Sequence, residues 1–248
     1  MKKTLLTLLS FLLLTQLYAQ KFEVLILANS GLFHYSGNGT ASTSFINYTQ
    51  GSSGSYPNYS FGNKNGLSYG VAAQGQYIAK CGFIAGLQAG YDVLRSKADI
   101  TAVDGAEILP FLNTFSSSTL VKGSSVVQNE FINLTPFVGY RLPIQKINVD
   151  LLIGLDLPFG VGSYEKSSST AADGTVYKTD VNYGKGGFDL RDRFGIAVSY
   201  HRYGITASYA HGLINHSADL LDDSPTVYEA HCLVLKKVVS VFLKIINI

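Results

Sequence analysis

The sequence predicts an all-β fold, an eight-stranded antiparallel up-and-down transmembrane β-barrel with short turns at one end and long loops at the other. Three observations predict it. Eight segments alternate apolar and polar side chains with a period of two, the period of extended chain, in which successive side chains point to opposite faces. The links between these segments alternate strictly between short and long. Charged residues make up only 15% of the 248 residues, against about 25% in soluble domains, while Tyr and Phe number 16 and 14 and Trp is absent.

The first segment runs from Lys21 to Tyr35. The second, Leu67 to Lys80, sets Leu67, Tyr69, Val71, Ala73 and Tyr77 against Ser68, Gln74 and Gln76. In the third, Gly82 to Arg95, Phe83, Ala85, Leu87, Ala89, Tyr91 and Val93 oppose Gln88 and Asp92. The fourth spans Gln128 to Leu142. The fifth, "INVDLLIGLDLPFGV" from Ile147 to Val161, is apolar at every odd position and small or charged at most even ones, Asp150 and Asp156 among them. Soluble strands average about 5 to 6 residues, whereas a tilted strand needs about 9 to 11 to cross a bilayer. Pro158 cannot donate to a ladder, so the lipid-embedded part of this strand is expected to end near Leu157.

The sixth segment, Phe188 to Tyr200, sets Leu190, Phe194, Ile196, Val198 and Tyr200 against Asp189, Arg191, Arg193 and Ser199, with Asp192 misplaced on the apolar side. The seventh is Tyr203 to Asn215, and the eighth lies within Thr226 to Leu243. Adjacent Lys236 and Lys237 leave the last register open: either Lys236 snorkels to an interface, or the strand begins near Leu233 and "TVYEAH" belongs to the preceding loop.

Links two, four and six are tight: "KCG" around Cys81, "PIQK" from Pro143 to Lys146, and "HRY" from His201 to Tyr203. Links one, three, five and seven are long: 36–66, 96–127, 162–187 and 216–225. A soluble sandwich has no reason for this alternation, whereas an outer-membrane barrel has short periplasmic turns and longer outer loops. Lipid offers backbone groups no partner, so such a sheet must close on itself. Tyr69, Tyr77, Tyr91, Tyr140, Tyr200, Tyr203 and Tyr209 all fall on the apolar face, several near strand ends, as an interfacial girdle requires.

The N-terminus, "MKK", the apolar run Leu5 to Leu14 and "TQLYAQ" with Ala19 before the cut, reads as a signal peptide over residues 1–19, leaving one domain at 20–248. Export to a bacterial outer membrane follows, with both chain ends periplasmic. The net charge of +2 includes Lys2 and Lys3 of the leader, so the mature chain is near neutral and nothing suggests a nucleic-acid partner. Cys81 and Cys232 leave one disulfide possible in an oxidising compartment.

The leader ending "YAQ", together with "NSGLFHYSG", "LSYGVAAQGQYIAK", "GFIAGLQAGYDV" and "NLTPFVGYRLP", resembles the small eight-stranded outer membrane β-barrel proteins, particularly the outer membrane protein beta-barrel domain family of Bacteroidota. The resemblance covers nearly the whole mature chain and implies location and fold rather than activity. The chain departs from that pattern at its end: it finishes "VFLKIINI", with Phe242 six residues from the terminus instead of a terminal aromatic.

Seven charged side chains are expected to point into the lumen as a network: Asp92, Arg141, Asp150, Asp156, Asp189, Arg191 and Arg193. Buried charges must be paired, and eight strands enclose an interior just wide enough for side chains to fill it. A salt-bridged plug is therefore preferred to a conducting or catalytic site. The alternatives are a barrel enzyme acting on membrane lipid, of the lipid A deacylase or acyltransferase kind, a small-solute channel, or a subunit of a secretion apparatus. Ser208 and His211, three apart on one strand, point to opposite faces and cannot form a nucleophile pair. His231 lacks an assignable serine neighbour. His211 and His216 flank the last loop without the further ligands a metal site needs. No cofactor is implied, and "GKGGFD" lacks the spacing of a phosphate loop. Outer membrane lipid and lipopolysaccharide are the expected surroundings of a monomer. Loops 36–66 and 96–127 are its candidate recognition surface, "GNGTASTSFINYTQGSSGSYPNYSFGNKN" having either an adaptable binding composition or that of a flexible loop.

Overall fold

The structure is a computed structural model that describes residues 21–37, 39–49, 55–58, 61–107, 115–214 and 233–247. The leader, Cys232, His216 and His231 lie outside the described residues. All regular structure in the described part is β-strand: β1 (Lys21–Ser36), β2 (Thr43–Thr49), β3 (Tyr56–Pro57), β4 (Lys64–Ile78), β5 (Phe83–Glu107), β6 (Phe115–Ile144), β7 (Ile147–Ala171), β8 (Val176–Gly184), β9 (Arg191–Tyr200), β10 (Tyr203–Gly212) and β11 (Leu233–Asn247).

Eight of these strands pair in a closed ring. Antiparallel ladders join β1 to β4, β4 to β5, β5 to β6, β6 to β7, β7 to β9, β9 to β10, β10 to β11, and β11 back to β1. Every strand in the ring has a neighbour on both edges, so along these ladders its backbone donors and acceptors are satisfied without solvent. At one end the hairpins are tight. Gln145 (φ 55°) and His201 (φ 52°) take left-handed conformations, as two-residue turns between right-twisted strands require. Gly82 (φ 90°) closes the third turn, its N–H donating to the Ala79 carbonyl at 2.9 Å.

At the other end the long links differ from expectation. Link 36–66 contains β2 and β3. Link 96–127 is strand except for residues 108–114, which are not described. Link 162–187 contains the rest of β7 and all of β8. β6 is 30 residues long, three times what a crossing needs. Where β4 ends, the freed edge of β5 is taken by β2 in parallel, and β3 pairs with β2. Ile46, Ile100, Val103, Val121, Ala171 and the partly buried Tyr177 form a separate core under this upper extension.

Smaller boundaries also move. β9 starts at Arg191, not Phe188, which makes an isolated bridge to Phe159 instead. β11 begins at Leu233 and continues to Asn247, so "TVYEAH" precedes the strand. β7 runs through Pro158 unbroken. The Pro158 carbonyl accepts from the Asp189 N–H at 3.0 Å, which turns the proline nitrogen toward the gap where the β9 ladder has ended at Arg191 and that of β8 has not begun. The register of the β9 ladder carries on through it, with Asp189 opposite Pro158 and Phe188 opposite Phe159, so the ladder is interrupted where the proline has no N–H to return.

Candidate functional site

The two faces of the ring differ in chemistry. Along β6, Ile132, Leu134, Val138, Tyr140 and Leu142 are exposed on the outer face, whereas Phe131, Asn133, Thr135, Phe137 and Arg141 are buried inside. β7 repeats the pattern, with Ile147, Leu151, Ile153, Leu155 and Phe159 exposed and Asp150 and Asp156 buried. All seven tyrosines of the expected girdle lie on the outer face, from half-buried Tyr77 to Tyr203 at 68% exposure. Phe22, Phe83, Tyr140, Tyr200 and Tyr203 ring the end with the tight turns; Tyr69, Tyr91, Phe159 and Phe188 sit toward the other end.

Inside, the expected charges gather in three tiers. Nearest the tight turns, Arg141 grips two carboxylates. Its Nε and Nη2 donate to Asp150 at 2.6 and 2.7 Å, and its Nη1 and Nη2 to Glu23 at 2.9 and 3.0 Å. Glu23 also accepts from Lys244 Nζ at 2.5 Å and from Gln76 at 2.8 Å. Two carboxylates thus face two cations, and the paired geometry offsets the desolvation of all four. In the middle tier Asp156 accepts from Thr135 at 2.7 Å and faces Arg193 at 3.4 Å. Above it, Asp189 accepts from Arg191 Nε at 2.6 Å. Arg191, fully buried, lies 5.0 Å over the Phe131 ring, a cation–π contact of the desolvated kind. Asp92 accepts from Asn133. The opposite residue on β4 is Gly70, and a Cβ there would strike the Asp92 carboxylate.

All seven predicted lumen residues are therefore inward, but the tiers do not form one chain. Apolar groups separate them: Leu25, Leu27, Ala72, Ala197 and Phe242 in one cluster, Phe33, Tyr35, Leu94 and Phe131 in another. Phe242 fills the space over Gly204. A cavity of about 30 Å³ lies between Gln74, Gln88, Thr135, Arg193, Thr206 and Ser208, room for a water molecule and little more. Sequence reasoning missed Glu23 and Lys244, whose pairing closes β1 against β11. Glu23 shares its inward face with Leu25 and Leu27, so the alternation gave no reason to single it out.

Asp192, the misfit, does point outward, with His211 facing it across the β9–β10 ladder at 3.7 Å. Ser208 turns inward, accepting from Arg193 at 3.3 Å. Among the described residues no group of three or more His, Cys, Asp or Glu is placed to hold a metal ion. Cys81 is exposed in its turn.

No protein-family model matches the chain, and no curated protein matches it in sequence. Solved structures do align. Neisserial surface protein A covers 90% of this chain and 97% of its own at 14% identity, with a TM-score of 0.34. Ail, the attachment invasion locus protein of Yersinia pestis, in complex with the heparin analogue sucrose octasulfate, covers 91% and 99% at 12% identity, with a TM-score of 0.31. Likeness at this level says nothing about activity or partners.

On the outer face just above the apolar band lies a groove of about 440 Å³ lined by Arg95, Val126, Gln128, Glu130, Tyr164 and Lys166. Arg95 lies 5.2 Å over the Tyr69 ring, and its Nε donates to Gln128 at 2.9 Å. Glu130 accepts from Tyr91 at 2.8 Å and Gln128 at 2.9 Å.

Proposed function

We propose that this chain is an integral barrel of a bacterial outer membrane, serving the envelope structurally and through its outer surface rather than by catalysis. Eight strands cross, the tight turns and both chain ends face the periplasm, and the extension built from β2, β3, β8 and the long ends of β5, β6 and β7 stands outside. The observation that carries this is the inversion of faces. Exposed side chains are apolar while charges are interior, the reverse of what water selects. From Ile132 to Leu142, ten residue steps of about 3.3 Å tilted by about 40° rise about 25 Å, the height of an outer-membrane apolar band.

The three charged tiers are read as a plug. A filled interior favours this over a small-solute channel, so reconstituted protein is expected to leave bilayer conductance at background. A lipid-modifying enzyme would need a serine beside the Asp192–His211 pair, and Ser208 faces the other way. The candidate recognition surface is the outer extension, including links 36–66 and 96–127, whose described residues are largely strands β2 and β3 and the long ends of β4, β5 and β6. The leaderless protein should need detergent or lipid to fold and should migrate differently on gels when unheated and when boiled. Folding in plain buffer with no such shift would replace this reading with a soluble barrel.

A further inference from the structure

At the end with the tight turns the ring opens into a recess of about 670 Å³. Its lining comes from every side of the ring: Lys21 of β1, Lys80 of the β4–β5 turn, Arg141 of β6, Lys146 of the β6–β7 turn, His201 of the β9–β10 turn and Lys244 of β11. A recess walled by the first and last strands and by all three hairpins lies on the barrel axis, so it faces water and not lipid. Its floor is closed and neutral. Arg141 and Lys244 are matched there by Glu23 and Asp150, and all four side chains are less than a tenth exposed. The rim is not neutral. Lys21, Lys80 and Lys146 are exposed, and among the described residues none of the three has an ion-pair partner.

Resting on the barrel reading, we infer that this recess is a periplasm-facing binding site for a peptide segment that carries two or more carboxylates. Charge sets the sign of the ligand: three unpaired cations stand around a neutral floor, and Glu23, the one carboxylate in the described lining, is already held by Arg141 and Lys244. Residue type sets its class. Lysine is a point charge on a flexible stem, suited to carboxylates spaced along a chain, whereas the planar arginine fork that favours phosphate is occupied in the floor. Shape agrees. The volume falls in the range of about 300–1,000 Å³ that holds a small ligand, Ile78 and Pro143 add apolar wall, and the closed floor stops an entering chain end or loop tip short of the lumen. The rim is also preformed, which lowers the cost of binding: the Gly82 carbonyl accepts from the Arg141 N–H and the Arg202 carbonyl from the Lys244 N–H, both at 2.7 Å, tying two of the turns to adjoining strands.

The test uses the leaderless protein folded in zwitterionic detergent micelles and follows the fluorescence anisotropy of labelled tetraglutamate at low ionic strength. Wild type is expected to bind tetraglutamate and not tetraglutamine, and to release it as salt screens the rim. Lys21→Gln/Lys80→Gln/Lys146→Gln should bind about tenfold more weakly while keeping the wild-type difference in mobility between unheated and boiled samples. Lys97→Gln/Lys122→Gln, at the opposite end, should bind as wild type does. The inference is overturned if wild type does not bind, if tetraglutamine binds equally well, if the triple variant binds as tightly as wild type, or if inorganic phosphate or phosphatidylglycerol in the micelles displaces the label better than unlabelled tetraglutamate, which would give the recess to phosphate chemistry. Folding of the leaderless protein in plain buffer with no gel shift would overturn the barrel reading instead.

Discussion

β7 carries two regions of one strand with the same alternation and opposite chemistry. From Ile147 to Phe159 the odd residues face outward and are apolar, while Asp150 and Asp156 are buried. At Val161 the ladder with β6 shifts by one residue, Glu130 opposing Gly162 and Phe131 opposing Gly160. Beyond this bulge the even residues face outward, Lys166, Ser168 and Thr170 being exposed, and Glu165, Ser167, Ser169 and Ala171 are buried. Strand geometry fixes which residues share a face. The medium on each side fixes what those residues must be, and in the lower half the outer medium is read as lipid.

The largest expected effect breaks this contrast at its charges. Arg141→Ala would leave Glu23 and Asp150 buried without their shared cation, and should destabilise by about 3–5 kcal/mol in urea unfolding from vesicles. Removing Lys166 from its exposed pair with Asp180, whose side chains are 71% and 67% accessible, should cost less than about 1 kcal/mol. Equal losses would mean that the lower interior is wet and the plug open.

Next comes the outer face itself. Ile153→Arg should cost about 2–4 kcal/mol if lipid lies against it, whereas Ser168→Arg, fifteen residues along the same strand, should change stability by no more than about 0.5 kcal/mol. Matching small effects at both positions would place water on both halves and remove the membrane from the account.

The lower half of this contrast was legible in the sequence because lipid demands an unbroken apolar face, which a period of two makes visible. The upper half was not. "SKADITAVDGAE" and "FSSSTLVKGSSVV" are strands whose outer face is polar because water is there, and register shifts at Ile100/Ala102 and at Glu130/Phe131 put a fixed template out of phase. β2 and β3 form on an edge that β4 vacates, a tertiary event with no local signal. The charge network was legible wherever a charge interrupted an apolar run, as at Asp150 and Asp156. Glu23 and Lys244, 221 residues apart, were not, because only ring closure brings them together.

Pro158 marks the level at which the two halves meet. Pro158 is fully buried, so Pro158→Ala should forfeit two buried methylenes, about 1.6 kcal/mol, together with the proline's restriction of the unfolded chain, about 0.4–1 kcal/mol. A gain in stability would mean that the new N–H supplies a ladder bond to Asp189 that outweighs both losses.

The smallest effect lies at the far tip of the upper half, where β7 turns into β8 through Asp173 and Gly174 (φ +87°). The Thr175 N–H donates to Asp173 Oδ1 at 2.9 Å, and this backbone bond holds the Asp173 carboxyl below its ordinary value. A carboxyl depressed in the folded hairpin contributes above its unfolded pKa of about 3.9, and that contribution is lost as pH falls through the lower folded value. Acidification below about pH 4 should therefore loosen this turn while leaving the ring intact, read as a lower amide-exchange protection factor at Thr175, relative to the intrinsic rate at the same pH, with unchanged gel mobility. Asp173→Asn keeps an oxygen acceptor but no charge, so its Thr175 exchange should lose the carboxyl's pH dependence and stay slower than in Asp173→Ala. If acid instead shifts the gel band together with Thr175 exchange, the hairpin tip is coupled to the charged tiers, and the two halves of β7 are not energetically separate.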